Sequence, residues 1–117
     1  MSDLSKQTMS LEAILARIIT LNHAWKVSRD DFGGNNPITL ALRQQKSSWQ
    51  ATMIRSYPDR VFLRLDTDGE SDGEPLLSVR IEPPITINGT LRRDAEHLPE
   101  RIAQTLFHPQ ELITIIQ

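Results

Sequence analysis

Hydrophobic residues over positions 10–25 recur at intervals of three and four. Leu11, Ile14, Leu15 and Ile18, continued by Ile19 or Leu21, share one side of a helix, with Glu12, Arg17 and Asn22 on the other. Ser10 offers an oxygen to the unpaired amides of the first turn, and Glu12 sits where the helix dipole favours a negative charge. Met9 and Ile14 hold the two positions of a hydrophobic staple. The spacing predicts an amphipathic helix over "SLEAILARIITLNHAW". "DDFGGNNP", residues 30–37, then concentrates turn formers and predicts a loop, with Trp25 and Val27 ahead of it open to a short leading strand.

Past that loop the period changes to two. Ile38, Leu40 and Leu42 alternate with Thr39, Ala41 and Arg43, and Trp49, Ala51 and Met53 with Gln50, Thr52 and Ile54. Val61, Leu63 and Leu65 alternate with Phe62, Arg64 and Asp66, and Leu77, Val79 and Ile81 with Ser78, Arg80 and Glu82. Four such segments with short connections predict an antiparallel meander with one buried face. "PPITING" adds a short edge strand that ends in a turn at Asn88–Gly89, since Pro83 and Pro84 cannot donate to a central ladder. Helical spacing returns with Leu98, Ile102, Leu106 and Phe107, with Pro99 in a first-turn position. Pro109 interrupts it, and residues 109–117 read equally as helix or strand.

The expected fold class is α+β. It is a two-layer sandwich: a four- to five-stranded antiparallel meander with the N-terminal helix and one or two C-terminal helices on one face. One domain is expected over residues 1–117, with 1–9 a flexible N-terminal segment, and the chain shows no internal repeat.

Composition narrows the function classes. A net charge of −2 and a pI near 5.9 argue against gripping nucleic acid by bulk charge. Without cysteine there is no thiolate nucleophile, disulfide or cysteine-bound metal. "MSDLSKQTM" lacks the basic start and apolar run of a signal peptide, and no apolar stretch approaches the roughly 20 residues of a membrane span, so a cytoplasmic location is expected.

"DTDGESDGE", residues 66–74, invites a calcium reading. With Asp68 as the first ligand, the glutamate expected at the twelfth position falls on Val79, inside a strand pattern. Strands rather than helices flank the stretch, and its residues suit a solvated hairpin loop. His23, His97 and His108 lack the spacing of a zinc-binding helix. No serine sits in a nucleophile elbow, and "FGGNNP" lacks the lysine of a phosphate loop. No catalytic residue, metal or cofactor is therefore expected.

One surface stands out. With Leu40, Met53, Leu63 and Val79 turned to the helices, the opposite sheet face carries Arg43, Ile54, Phe62, Arg64 and Arg80. Arginines beside apolar groups suit an acidic protein partner. The expected function is a small non-catalytic protein-binding module that occludes or bridges its partner, as an inhibitor, immunity protein, antagonist or chaperone-like adaptor does. The alternatives are a nucleic-acid-binding protein using the same arginines, and an enzyme without a recognisable motif. The plainer interpretation of that face is a solvated surface, its arginines countered by Asp66 and Glu82.

Overall fold

The computed structural model describes residues 9–71 and 74–117, with residues 67–71 by their backbone alone. Helices α1 (Leu11–Phe32) and α2 (Pro37–Ser56) form a hairpin. Three strands follow, β1 (Val61–Ser71), β2 (Glu74–Ile87) and β3 (Thr90–Pro99), then two short helices, α3 (Glu100–Leu106) and α4 (Pro109–Ile115). The sheet is antiparallel in the order β1-β2-β3.

The class is α+β, but two of the expected strands are one helix. Residues 38–42 and 49–54 lie within α2, and Trp25 and Val27 within α1, so the sheet has three strands rather than four or five. Asn36 caps α2, its side chain accepting from Ile38 N at 2.9 Å, and Pro37 fills the first helical position, where no amide partner is lost. The positions α2 buries are Thr39, Lys46, Ser47, Gln50, Ala51, Met53 and Ile54, a helical spacing written largely in polar residues. Residues two apart lie roughly 200° apart round a helix, so the alternation among Ile38, Leu40 and Leu42 marks no single face of α2, and Ile38 and Leu40 both stay exposed.

Helix α1 starts as expected, with Ser10 accepting from Ala13 N at 3.0 Å, and it runs on to Phe32. Gly33 ends it at φ 93°, a conformation glycine adopts without strain, and its amide donates to Arg29 O. Strands β1 and β2 pair Val61 with Ile81, Leu63 with Val79 and Leu65 with Leu77. Pro83 and Pro84 lie in β2, the middle strand, beyond the start of β1 and inside a break of the β2–β3 ladder between Arg80 and Ile85. No amide is lost there to either neighbour. Asn88 and Gly89, both at positive φ, turn β2 into β3. Residues 109–115 are helix, and the chain then touches β1 through Gln117 N donating to Leu63 O at 2.8 Å. Of the acidic stretch, Asp66–Ser71 continues β1 and Ser71 pairs with Glu74, while residues 72 and 73, and the side chains of 67–71, lie outside the described residues. So do residues 1–8, which hold most of the expected N-terminal segment.

The core joins one sheet face to the helices. Leu11, Ile14, Leu15 and Ile18 of α1 and Ala51, Met53 and Ile54 of α2 meet Leu63, Leu77, Val79, Ile81 and Leu98, with Ala103 and Phe107 closing one side. Gln50, fully buried, donates to Ala95 O at 2.8 Å and His97 O at 3.2 Å, tying α2 to β3. Among the described residues no helix is long and apolar enough to cross a membrane.

Candidate functional site

Gln50 grips β3 where its ladder is irregular. Ser78 pairs with His97 and Arg80 with Asp94, so two residues of β3, Ala95 and Glu96, stand opposite the single Val79. Glu96 takes φ 66° there. Such a bulge shifts the alternation by one residue. Ala95 therefore stays in the core, and Asp94 and His97, three apart, both face outward. Across the ladders, Phe62, Arg80 and Asp94 form one row of the outer face and Arg64, Ser78 and His97 the next.

These rows line an open cavity of about 360 Å³ with Arg64, Asp66, Ser78, Arg80, Asp94 and His97 in its wall. His97 Nε2 lies 2.7 Å from Asp66 Oδ2, a contact that spans β2. Asp94 accepts from Glu96 N at 3.1 Å and has Arg92 at 3.6 Å. The Arg64 guanidinium lies 5.2 Å from the Phe62 ring centroid. Neither Arg64 nor Arg80 makes an ion pair among the described residues, and Arg80 Nε is buried without an acceptor. Ser78 makes no hydrogen bond to His97, so the contact that would activate a serine nucleophile is not formed.

A second cavity, of about 130 Å³, adjoins the first through His97 and lies between the hairpin and the end of the sheet. Asn22, Trp25, Arg43, Lys46, Glu96 and Pro99 line it. The Trp25 ring collects three cations: Lys46 Nζ at 4.7 Å, Arg29 at 4.8 Å and Arg43 at 5.8 Å from its centroid. Lys46 is only 5% exposed and donates to Asn22 Oδ1 at 3.1 Å. Burial lowers its pKa to about 8; Glu96 opposes the shift, and Arg43 and Lys26 add to it. Charge is divided between the two regions that meet here. Residues 11–56 hold six Lys and Arg against three Asp and Glu, whereas residues 57–117 hold six against eleven.

Of the five positions singled out in the sequence, Arg64 and Arg80 stand together on the outer face. Phe62 is there too, but buried beneath Arg64. Arg43 and Ile54 are not on the sheet, because both belong to α2. Ile54 is in the core, and Arg43 lies over Trp25 with Glu74 at 3.8 Å. The sequence pattern assigns no partner-binding role to His97, Asp94, Trp25 or Lys46. A helical reading of residues 37–56 would have placed Arg43 and Lys46 one turn apart on one face.

Among the described residues no group of three or more His, Cys, Asp or Glu side chains is placed to hold a metal ion. The chain's cations, above all Arg64, Arg80 and Lys46, equip this region to hold anionic groups. Comparison with known protein families, characterised proteins and solved structures found no match for this chain.

Proposed function

We propose that this chain is a small non-catalytic binding module that holds an acidic segment of a protein partner on the outer face of its sheet. It acts by occlusion or bridging, in the manner of an inhibitor or adaptor. Arg80 is the observation that carries this reading: it stands in the wall of a polar cavity and pairs with no carboxylate among the described residues. A carboxylate docked on the cavity side of its guanidinium adds charge-assisted bonds. Arg64 beside it offers a second cation. Asp66 and Asp94 stand on the same face, and they favour a partner surface of both signs over a uniformly charged phosphate backbone.

The test is affinity capture from the source cell with the wild-type chain and with an Arg64→Ala/Arg80→Ala double variant. A specific protein should be held by the wild type and lost by the variant, with both proteins folded by circular dichroism. Equal capture by both would move the working surface elsewhere. Nucleic acid recovered in place of protein, released steeply between about 50 and 200 mM salt, would favour the phosphate reading instead.

A further inference from the structure

Lys46 is a buried amine with a cavity in front of it. No carboxylate lies within ion-pair distance of its Nζ among the described residues, and Glu96 across the cavity is already held by Arg92 at 3.1 Å. The Nζ instead meets Asn22 Oδ1 and the Trp25 ring, and both of those residues line the cavity with it. An ammonium stripped of water without a counter-ion is disfavoured against the neutral amine. The pKa of about 8 agrees: burial leads, Glu96 opposes, and Arg43 and Lys26 reinforce it. With its pKa near 8, about a tenth of Lys46 is neutral at pH 7, roughly two hundred times the fraction of a solvated lysine, and the neutral amine is the nucleophile. Arg43, three residues earlier on α2, projects beside it over the same indole and lines the same cavity.

We propose that Lys46 captures a small oxo acid, an aldehyde or ketone bearing a carboxylate, as an imine, with Arg43 holding the carboxylate and Trp25 walling the pocket. The Nζ lone pair forms a bond to the carbonyl carbon while the carbon–oxygen double bond opens to a hydroxyl. The nitrogen then expels that hydroxyl and the carbon–nitrogen double bond forms. Both amine hydrogens and the carbonyl oxygen leave as water, so the step needs no oxidant or reductant. Glu96 and His97 line the same wall, but Arg92 holds Glu96 and Asp66 holds His97, so water in the cavity carries the proton that dehydration requires. The volume of about 130 Å³ suits a molecule the size of glyoxylate or pyruvate. This site is distinct from the sheet-face surface, and either can fail without the other.

Attribution is simple because the chain has three lysines, Lys6, Lys26 and Lys46. The full chain is incubated at pH 7 with glyoxylate and cyanoborohydride, which traps the imine as a stable amine, and is then digested and mapped by mass spectrometry. The adduct should form on Lys46 at least about tenfold faster than on Lys26, with a rate that rises with pH and levels off near 8; an ordinary solvated lysine gains until about 10.4. Arg43→Gln should slow trapping of glyoxylate by about tenfold while leaving that of propionaldehyde unchanged. First modification at Lys6, Lys26 or the α-amino group, with Lys46 untouched, overturns the proposal. Equal trapping of glyoxylate and propionaldehyde at Lys46, insensitive to Arg43→Gln, overturns the oxo-acid class. Lys46→Arg should lose the adduct, and if that variant does not fold, the wild-type peptide map decides.

Discussion

The two halves of the helical hairpin have interiors of opposite kinds. Near the sheet, Leu11, Ile14, Leu15 and Ile18 face Ala51, Met53 and Ile54, all buried in the common core. Farther out, the helices meet through hydrogen bonds: Lys46 to Asn22, and Ser28 Oγ to Thr39 Oγ1 at 2.7 Å. There the apolar side chains turn outward, with Val27 46%, Phe32 62%, Ile38 59% and Leu40 49% exposed. Apolar burial is non-directional and accumulates with area, whereas a hydrogen bond is directional and adds little net stability. The near half thus supplies stability, and the far half supplies register, since both bonds fix one antiparallel alignment. The polar interior also lets a lysine be buried beside a cavity, which an apolar seam would exclude.

The sharpest way to break that comparison is to cut the same amount from each half. Leu15→Ala removes a fully buried side chain from the core and should lose about 2–5 kcal/mol in urea unfolding. Phe32→Ala, at an exposed position in the far half, should stay within about 0.5 kcal/mol. Comparable losses would mean that the far half carries hydrophobic stabilisation of its own.

The next largest effect is a pH dependence. With Lys46 at about 8 in the folded chain and an ordinary lysine near 10.4 when unfolded, the unfolded state binds more protons between those values. Stability attributable to Lys46 therefore rises with pH through that window; the burial cost is fully present below pH 8 and relieved above about 10.4. The shift corresponds to something on the order of 3 kcal/mol. Unfolding of the wild type and of Lys46→Met, compared at pH 7.5 and 10.5, should show the wild type gaining by that amount relative to the variant. A constant difference would mean that Lys46 is solvated.

The same contrast explains what could be read from the sequence. Helix α1 was legible because its stripe is apolar from Leu11 to Ile18 and Ser10 caps it. Helix α2 was not, because it turns Thr39, Lys46, Ser47 and Gln50 inward, and a polar stripe gives hydrophobic periodicity nothing to follow. The signal that remained was local, Asn36 and Pro37 at its start. Strands β1 and β2 keep a period of two in their sequence, and their register puts Arg64 and Arg80 on the outer face, although Phe62 and Ser78 there are buried. Strand β3 was hidden by its bulge: with two residues opposite Val79, Asp94 and His97 fall out of a period of two, and half of the outer face went unseen. Lys46 was out of reach for another reason. A lysine's burial is set by neighbours distant in the chain, and Asn22 lies 24 residues away.

A smaller effect than that of Lys46 isolates the register role of the far half. Ser28 and Thr39 are buried and bonded to each other, so each alone satisfies the other. Ser28→Ala leaves the Thr39 hydroxyl without that partner in a dry position and should cost about 1–3 kcal/mol. Thr39→Val, which keeps the shape and removes the hydroxyl, should cost a similar amount for the mirror reason. The double variant removes both polar groups together and should unfold within about 0.5 kcal/mol of the wild type, because a net hydrogen bond contributes little once neither partner is stranded. The two-variant cycle therefore carries a strong coupling energy over a contact of small net worth. Additive losses in the double variant would show that the two hydroxyls act independently, and that something other than this bond aligns the outer hairpin.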